Sequence, residues 1–147
     1  MSAEDERPFT IMMAFRLTAR LMVEELIERL KADGHEGVHP SHHALYENID
    51  PDGTRLTELA ARAAMTHQSM SELVANLERG GWVERRPDPT DGRARLVCLT
   101  PAGKDLVRRG LHHIADIEAE WQKRWDGAGH NGRLLPVLQQ AIKARAA

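Results

Sequence analysis

At 147 residues, 41% of them hydrophobic, the chain has the length of one domain and enough apolar content to pack a single core. Its formal net charge of −2 does not mark a general polyanion binder, so any nucleic-acid function has to rest on local charge. The single cysteine, Cys98, excludes an internal disulfide framework and suits a reducing compartment.

The opening stretch Met1-Ser2-Ala3-Glu4-Asp5-Glu6 is acidic and polar, unlike a secretory leader. No apolar run approaches the roughly 20 residues needed to cross a bilayer, so a cytoplasmic protein with no membrane partner is expected. From Pro8 to Lys31 apolar residues return at helical spacing (Met12, Phe15, Ala19, Met22, Val23, Leu26, Ile27, Leu30), and Gly34 ends the pattern. A second, short helix is expected from Ser41, as its cap, to about Ile49. Asp50-Pro51-Asp52-Gly53 has the composition of a turn.

Leu56 to Ala63 reads as a brief amphipathic helix. After a break at Ala64-Met65, a helix capped by Thr66 runs to about Arg79 and is stopped by Gly80-Gly81. Two flanks of strand character follow, Trp82–Arg86 and Arg95–Leu99, around the turn-forming stretch Pro87 to Ala94. Thr100 and Pro101 open a long helix carrying Leu106, Leu111, Ile114, Ile117, Trp121 and Trp125, and Gly127 and Gly129 interrupt it. A last helix spans about Arg133 to Lys143. The expected fold is mainly α with a small β-hairpin wing: one domain whose residues 41–99 form a winged helix-turn-helix lobe flanked by helices at about 8–34 and 100–147.

Two helices joined by a tight break can place the second in a DNA major groove. There Met70, Leu73, Val74 and Leu77 share one face, leaving Thr66, His67, Gln68, Ser69 and Ser71 as hydrogen-bonding groups for base edges and phosphates. The same polar face also fits a capped, solvated helix. The hairpin tips the balance. Between residues 82 and 104 stand five Lys/Arg against three Asp/Glu, with Arg85, Arg86, Arg93 and Arg95 gathered around the turn. An arginine at a hairpin tip can enter a narrow minor groove, and Asp91 can bond the turn to hold Arg93 in place.

Four segments in this order resemble the MarR family of transcriptional regulators: Leu56-Thr57-Glu58-Leu59-Ala60, then Leu77-Glu78-Arg79-Gly80-Gly81-Trp82-Val83-Glu84-Arg85, then Asp88-Pro89-Thr90-Asp91-Gly92-Arg93, then Leu99-Thr100-Pro101-Ala102-Gly103-Lys104. Trp82 departs from the more usual aliphatic residue. The resemblance implies a homodimer with interlocked terminal helices, two winged lobes on a pseudo-palindromic duplex, and no catalysis. It maps the wing acid and arginine onto Asp91 and Arg93, and the reading helix onto about Thr66 to Arg79. The expected DNA-contacting set is Thr66, His67, Gln68, Ser69, Ser71, Arg86, Asp91, Arg93 and Arg95. The apolar stripes of the first and last helices independently lack a partner of adequate size, which a second copy supplies.

The resemblance also implies a repressor released from DNA by a small molecule seated between the terminal helices and the lobe. Arg16, His42, Tyr46 and His112 are the candidates, with a small aromatic or anionic effector in view. Arg16 serves either an aromatic carboxylate or an acid across the dimer interface. Eight histidines raise a zinc-sensing alternative through Glu24 or Glu25, His42 or His43, and His112 or His113. Adjacent histidines on a helix diverge by about 100°, however, and no cysteine joins them, so no metal site and no cofactor are expected. Neither a nucleophile elbow nor a phosphate-binding glycine loop is present, which argues against an enzyme. A winged helix used only for protein contacts is the remaining alternative.

Overall fold

The computed structural model describes residues 8–130 and 132–146. Helix α1 spans Ile11–Ala32 and is capped by Thr10, whose hydroxyl accepts the Met13 N–H at 3.2 Å. A one-turn 3-10 segment, Pro40–His42, leads into the short α2, His43–Tyr46. Strand β1 is Thr54–Arg55, followed by α3 at Leu56–Arg62 and α4 at His67–Arg79. Strands β2, Val83–Asp88, and β3, Asp91–Leu99, form the wing. Helix α5 runs from Pro101 to Gly127 and α6 from Leu134 to Ala146. The fold class expected from the sequence is the one observed.

Four local readings need correction. Helix α1 starts at Ile11 behind its Thr10 cap, not at Pro8, because the threonine hydroxyl takes a free N–H of the first turn. Ser41 caps no helix: it lies inside the 3-10 turn, where His42 Nδ1 accepts the His39 N–H at 3.2 Å, and the expected helix to Ile49 is cut short at Tyr46. The eight-residue turn between the strands is only Pro89-Thr90, since pairing continues through Arg86 with Leu96 and Pro87 with Arg95. Proline is accommodated because β2 is an edge strand in the order β1-β3-β2. Finally, β1 adds a third antiparallel strand, pairing Thr54 with Val97 and Arg55 with Leu96. Thr54 is buried, its Oγ1 accepting the Asp50 N–H at 2.8 Å.

Two apolar clusters organise the molecule. The lobe closes around Leu45, Leu59, Ala60, Met70, Leu73, Val74, Leu77, Val83 and Val97. The second cluster joins Leu26, Ile27 and Leu30 of α1 to Val38 and to Leu106 and Ile117 of α5. Tyr46 and Trp82 pack against both. Between α3 and α4 the break turns on Ala64, which sits in the left-handed region at φ 52°, while the Met65 N–H reaches back to the Ala60 carbonyl at 2.9 Å.

The entry to α5 is stitched to the end of α4. The Thr100 N–H donates to the Trp82 carbonyl at 3.0 Å, and its hydroxyl donates to the Gly81 carbonyl at 2.6 Å while accepting the Gly103 N–H at 3.1 Å. Gly103 lies so close to Trp82 that a β-carbon there would run into the Trp82 carbonyl oxygen. Because both clashing partners are backbone, Gly103→Ala is expected to destabilise the fold by about 1–3 kcal/mol, read as a lowered denaturant midpoint with unchanged slope. Parent-like stability would show that the contact between α5 and the lobe is looser than described.

Candidate nucleic-acid interface

Helix α4 presents a buried face of Met70, Leu73, Val74 and Leu77 and an exposed N-terminal turn. Thr66 caps that turn, its Oγ1 accepting the Ser69 N–H at 3.1 Å and donating to the Ser69 hydroxyl at 2.8 Å. The Thr66 hydroxyl is therefore committed to the cap, while Ser69 keeps its own O–H free to donate. Gln68 is exposed, with its amide donating to Glu72 at 3.3 Å, and His67 is exposed beside it. Ser71 is half-buried. Of the five helix residues expected to face DNA, His67 and Gln68 are exposed at the helix start outside the cap, Gln68 resting on Glu72.

The wing arginines differ in what surrounds them. Arg85 of β2 pairs with Glu78 of α4 at 3.2 Å, tying strand to helix. Arg86 is held by Glu84 on its own strand, its Nε donating at 2.9 Å. Among the described residues, no carboxylate lies within ion-pair distance of Arg93 or Arg95, and both side chains are exposed. The Asp91 carboxylate accepts the Arg93 N–H at 3.1 Å, so the acid bonds the turn's backbone and leaves the guanidinium to solvent.

Asp88 holds this turn, as its place in the turn-forming stretch implies, and Arg55, which carries no signal in the sequence, anchors it to the lobe. Asp88 is 6% exposed. Its Oδ1 accepts both the N–H and the hydroxyl of Thr90, at 2.8 and 2.7 Å, and its Oδ2 accepts Arg55 Nε at 2.8 Å. These bonds, those from Thr90 first, hold the Asp88 carboxyl down at about 2, so it is ionised through the physiological range. No short-range signal links residues 33 positions apart.

The four effector candidates do not converge. His42 and Tyr46 line a cavity of about 150 Å³ walled by Leu26, Ile27, Leu30 and Leu106. Arg16 stands near the start of α1 with Phe9, Met13 and Arg20, and His112 is exposed on α5. The Tyr46 hydroxyl is buried with no hydrogen-bond partner among the described residues, and burial raises its pKa so that it stays a donor. The cavity lining contains neither lysine nor arginine; Glu47, bonded to His43 at 3.3 Å, stands at its edge. Among the described residues, no three His, Cys, Asp or Glu side chains come together as metal ligands.

Residues 37–94 match the pattern described as the MarR family. The chain is 27% identical over 88 residues to the transcriptional regulator HosA of Escherichia coli O111:H-, covering 60% of this chain and 65% of that protein. It is 40% identical over 50 residues to an HTH-type transcriptional regulator of Mycobacterium leprae, covering 34% of this chain and 35% of the relative. The chain thus spans from a third to just under two thirds of these relatives' length. Among solved structures, Sco3205, a MarR family transcriptional regulator from Streptomyces coelicolor in complex with DNA, superposes with a TM-score of 0.64 at 26% identity over 99% of this chain and 91% of that one.

Proposed function

The chain belongs to the MarR family, and on that premise we propose that it is a homodimeric transcriptional regulator that binds duplex DNA and represses until a small molecule releases it. One observation carries the DNA reading: the exposed start of α4, with His67 and Gln68, shares a lobe with a hairpin whose Arg93 and Arg95 guanidinium groups form no ion pair among the described residues. Helix α4 would read base edges, the wing would enter the adjacent minor groove, and the free N–H groups at the start of α4 would take a phosphate. The solved complex of Sco3205 with DNA supports the same use of the fold. The relatives named above are regulators, not enzymes, and the residues here offer binding rather than bond-making chemistry.

A second copy is the natural cover for the apolar surface left at both ends of the chain. Phe9, Ile11 and Met12 at the start of α1 are 69–78% exposed, and Val137 and Ile142 of α6 are 57% and 70% exposed. Grooves lined by Phe15, Leu138 and Ile142 lie between these helices. Continuous apolar surface of this kind is rare on monomers. Dimerisation would bring two α4 helices to successive major grooves, about 34 Å apart, on a pseudo-palindromic site.

The release function falls to the cavity beside Tyr46. It lies between α1 and α5 on one side and the short α2 on the other, and Tyr46 packs against both core clusters. Its apolar walls, lone phenol donor and lack of cations favour a neutral aromatic or amide-bearing molecule over an anion. Arg16 is left to the helix ends, where an interfacial ion pair suits it better than an effector carboxylate.

These readings make three expectations. In a salt titration against the duplex upstream of its own gene and a scrambled duplex, the parent protein binds the first more tightly at physiological salt. Arg93→Ala weakens both and lowers the salt slope by about one per lost contact, whereas Gln68→Ala costs about 1–3 kcal/mol of base discrimination. Equal, salt-labile binding to both duplexes would instead favour a protein-interaction module. Sedimentation should give a dimer for the parent chain and a monomer for Phe15→Glu; a monomeric parent would rule out the assembly. Benzamide should raise the melting temperature and benzoate should not, with the benzamide effect lost in Tyr46→Phe. A response to benzoate alone would place the effector elsewhere.

A further inference from the structure

The wing tip has no apolar anchor. Beyond the buried Val83 and Val97, the residues Arg86, Pro87 and Pro89 to Arg93 are exposed, apart from one buried side chain, the carboxylate of Asp88. An isolated two-stranded ribbon is marginal in water, and its direction is free unless something fixes it. Asp88 does so with both oxygens. One closes the turn on Thr90, and the other takes Arg55 Nε at 2.8 Å and Arg55 Nη2 at 2.6 Å.

Arg55 belongs to the body of the lobe. It immediately precedes α3, the first helix of the helix-turn-helix, and pairs with Leu96 in the sheet. The same Nη2 lies 3.8 Å from Asp91, whose other oxygen holds the Arg93 N–H. Charge-assisted hydrogen bonds thus tie the start of α3 to Asp88 at the turn, and a longer ion pair with Asp91 extends the link toward the backbone of Arg93. With two carboxylates about it, Arg55 is already neutralised.

We propose that Arg55 and Asp88 form a clip that sets the wing's angle on the helix-turn-helix, acting as positioning residues for Arg93 rather than as DNA contacts. The proposal rests on the reading of the wing as a DNA-contacting element. It makes a prediction opposite to simple electrostatics. Removing a negative charge beside a polyanion should tighten binding, whereas removing the clip should weaken it by releasing the wing.

The test uses the full-length protein and the duplex upstream of its own gene, with binding followed by fluorescence anisotropy across a salt series. Asp88→Asn, which deletes a negative charge, and Arg55→Met are each expected to weaken binding and flatten the salt slope as Arg93→Ala does, by about one per protomer. Asp88→Asn combined with Arg93→Ala should be no weaker than Arg93→Ala alone, because both remove the same contact. If Asp88→Asn binds as tightly as the parent or tighter while Arg93→Ala weakens, the clip is wrong and the wing reading stands. If Arg93→Ala has no effect, both are wrong. A measurement on the unsubstituted protein guards against variants that misfold: amide exchange at Thr90 and Arg93 should be slowed in the DNA-free state, and exchange at unprotected rates would overturn the clip.

Discussion

The backbone of Trp82 is where the two halves of the molecule are joined. Its carbonyl receives the Thr100 N–H at 3.0 Å, and Gly103 presses against it where any larger residue would collide. Its ring packs against both apolar clusters and lies 5.7 Å from the buried His42 ring. The end of α4, the start of the wing and the start of α5 thus meet within a few residues. A tightly packed junction of this kind repacks between discrete arrangements more readily than it deforms. The entry to α5 and the root of the wing share one packed contact, and Tyr46 beside the cavity touches the same two clusters.

The charge pattern explains why the totals say so little. Most of the lobe's arginines are matched locally: Arg62 with Asp50 and Glu58, Arg85 with Glu78, Arg86 with Glu84, and Arg55 with Asp88. Apart from the pair on the buried Asp88, these are exposed pairs that contribute little stability each, but they decide which cations remain available to a polyanion. What is left over at the wing is Arg93 and Arg95. A net charge of −2 is compatible with a concentrated positive tip because the compensating acids are paired elsewhere.

Much of the architecture is legible in the sequence because its signals are local. The Thr66 and Thr100 caps, the Gly80-Gly81 stop and the buried face of α4 all follow from residues within one or two turns of each other, and they appear where the spacing puts them. What was not legible depends on partners distant in the chain. Strand β1 is two residues long, too short to show alternation, and exists only because β3 is there to pair with it. The strands outrun their β-branched residues because edge pairing tolerates Pro87. The Arg55–Asp88 bond spans the whole helix-turn-helix. Arg16 and His112 were grouped with His42 and Tyr46 by element, and side-chain direction separated them.

Ala64 offers a last lesson about stiffness. The turn between α3 and α4 places this alanine at φ 52°, a conformation that costs an L-residue about 1–2 kcal/mol and that glycine would adopt freely. The single lobe core to which both helices contribute is strong enough to impose that strain. In exchange, the β-carbon removes backbone states that glycine would allow. The joint between α3 and α4 is thereby stiffer than a glycine would make it, which narrows the range of angles open to the two helices.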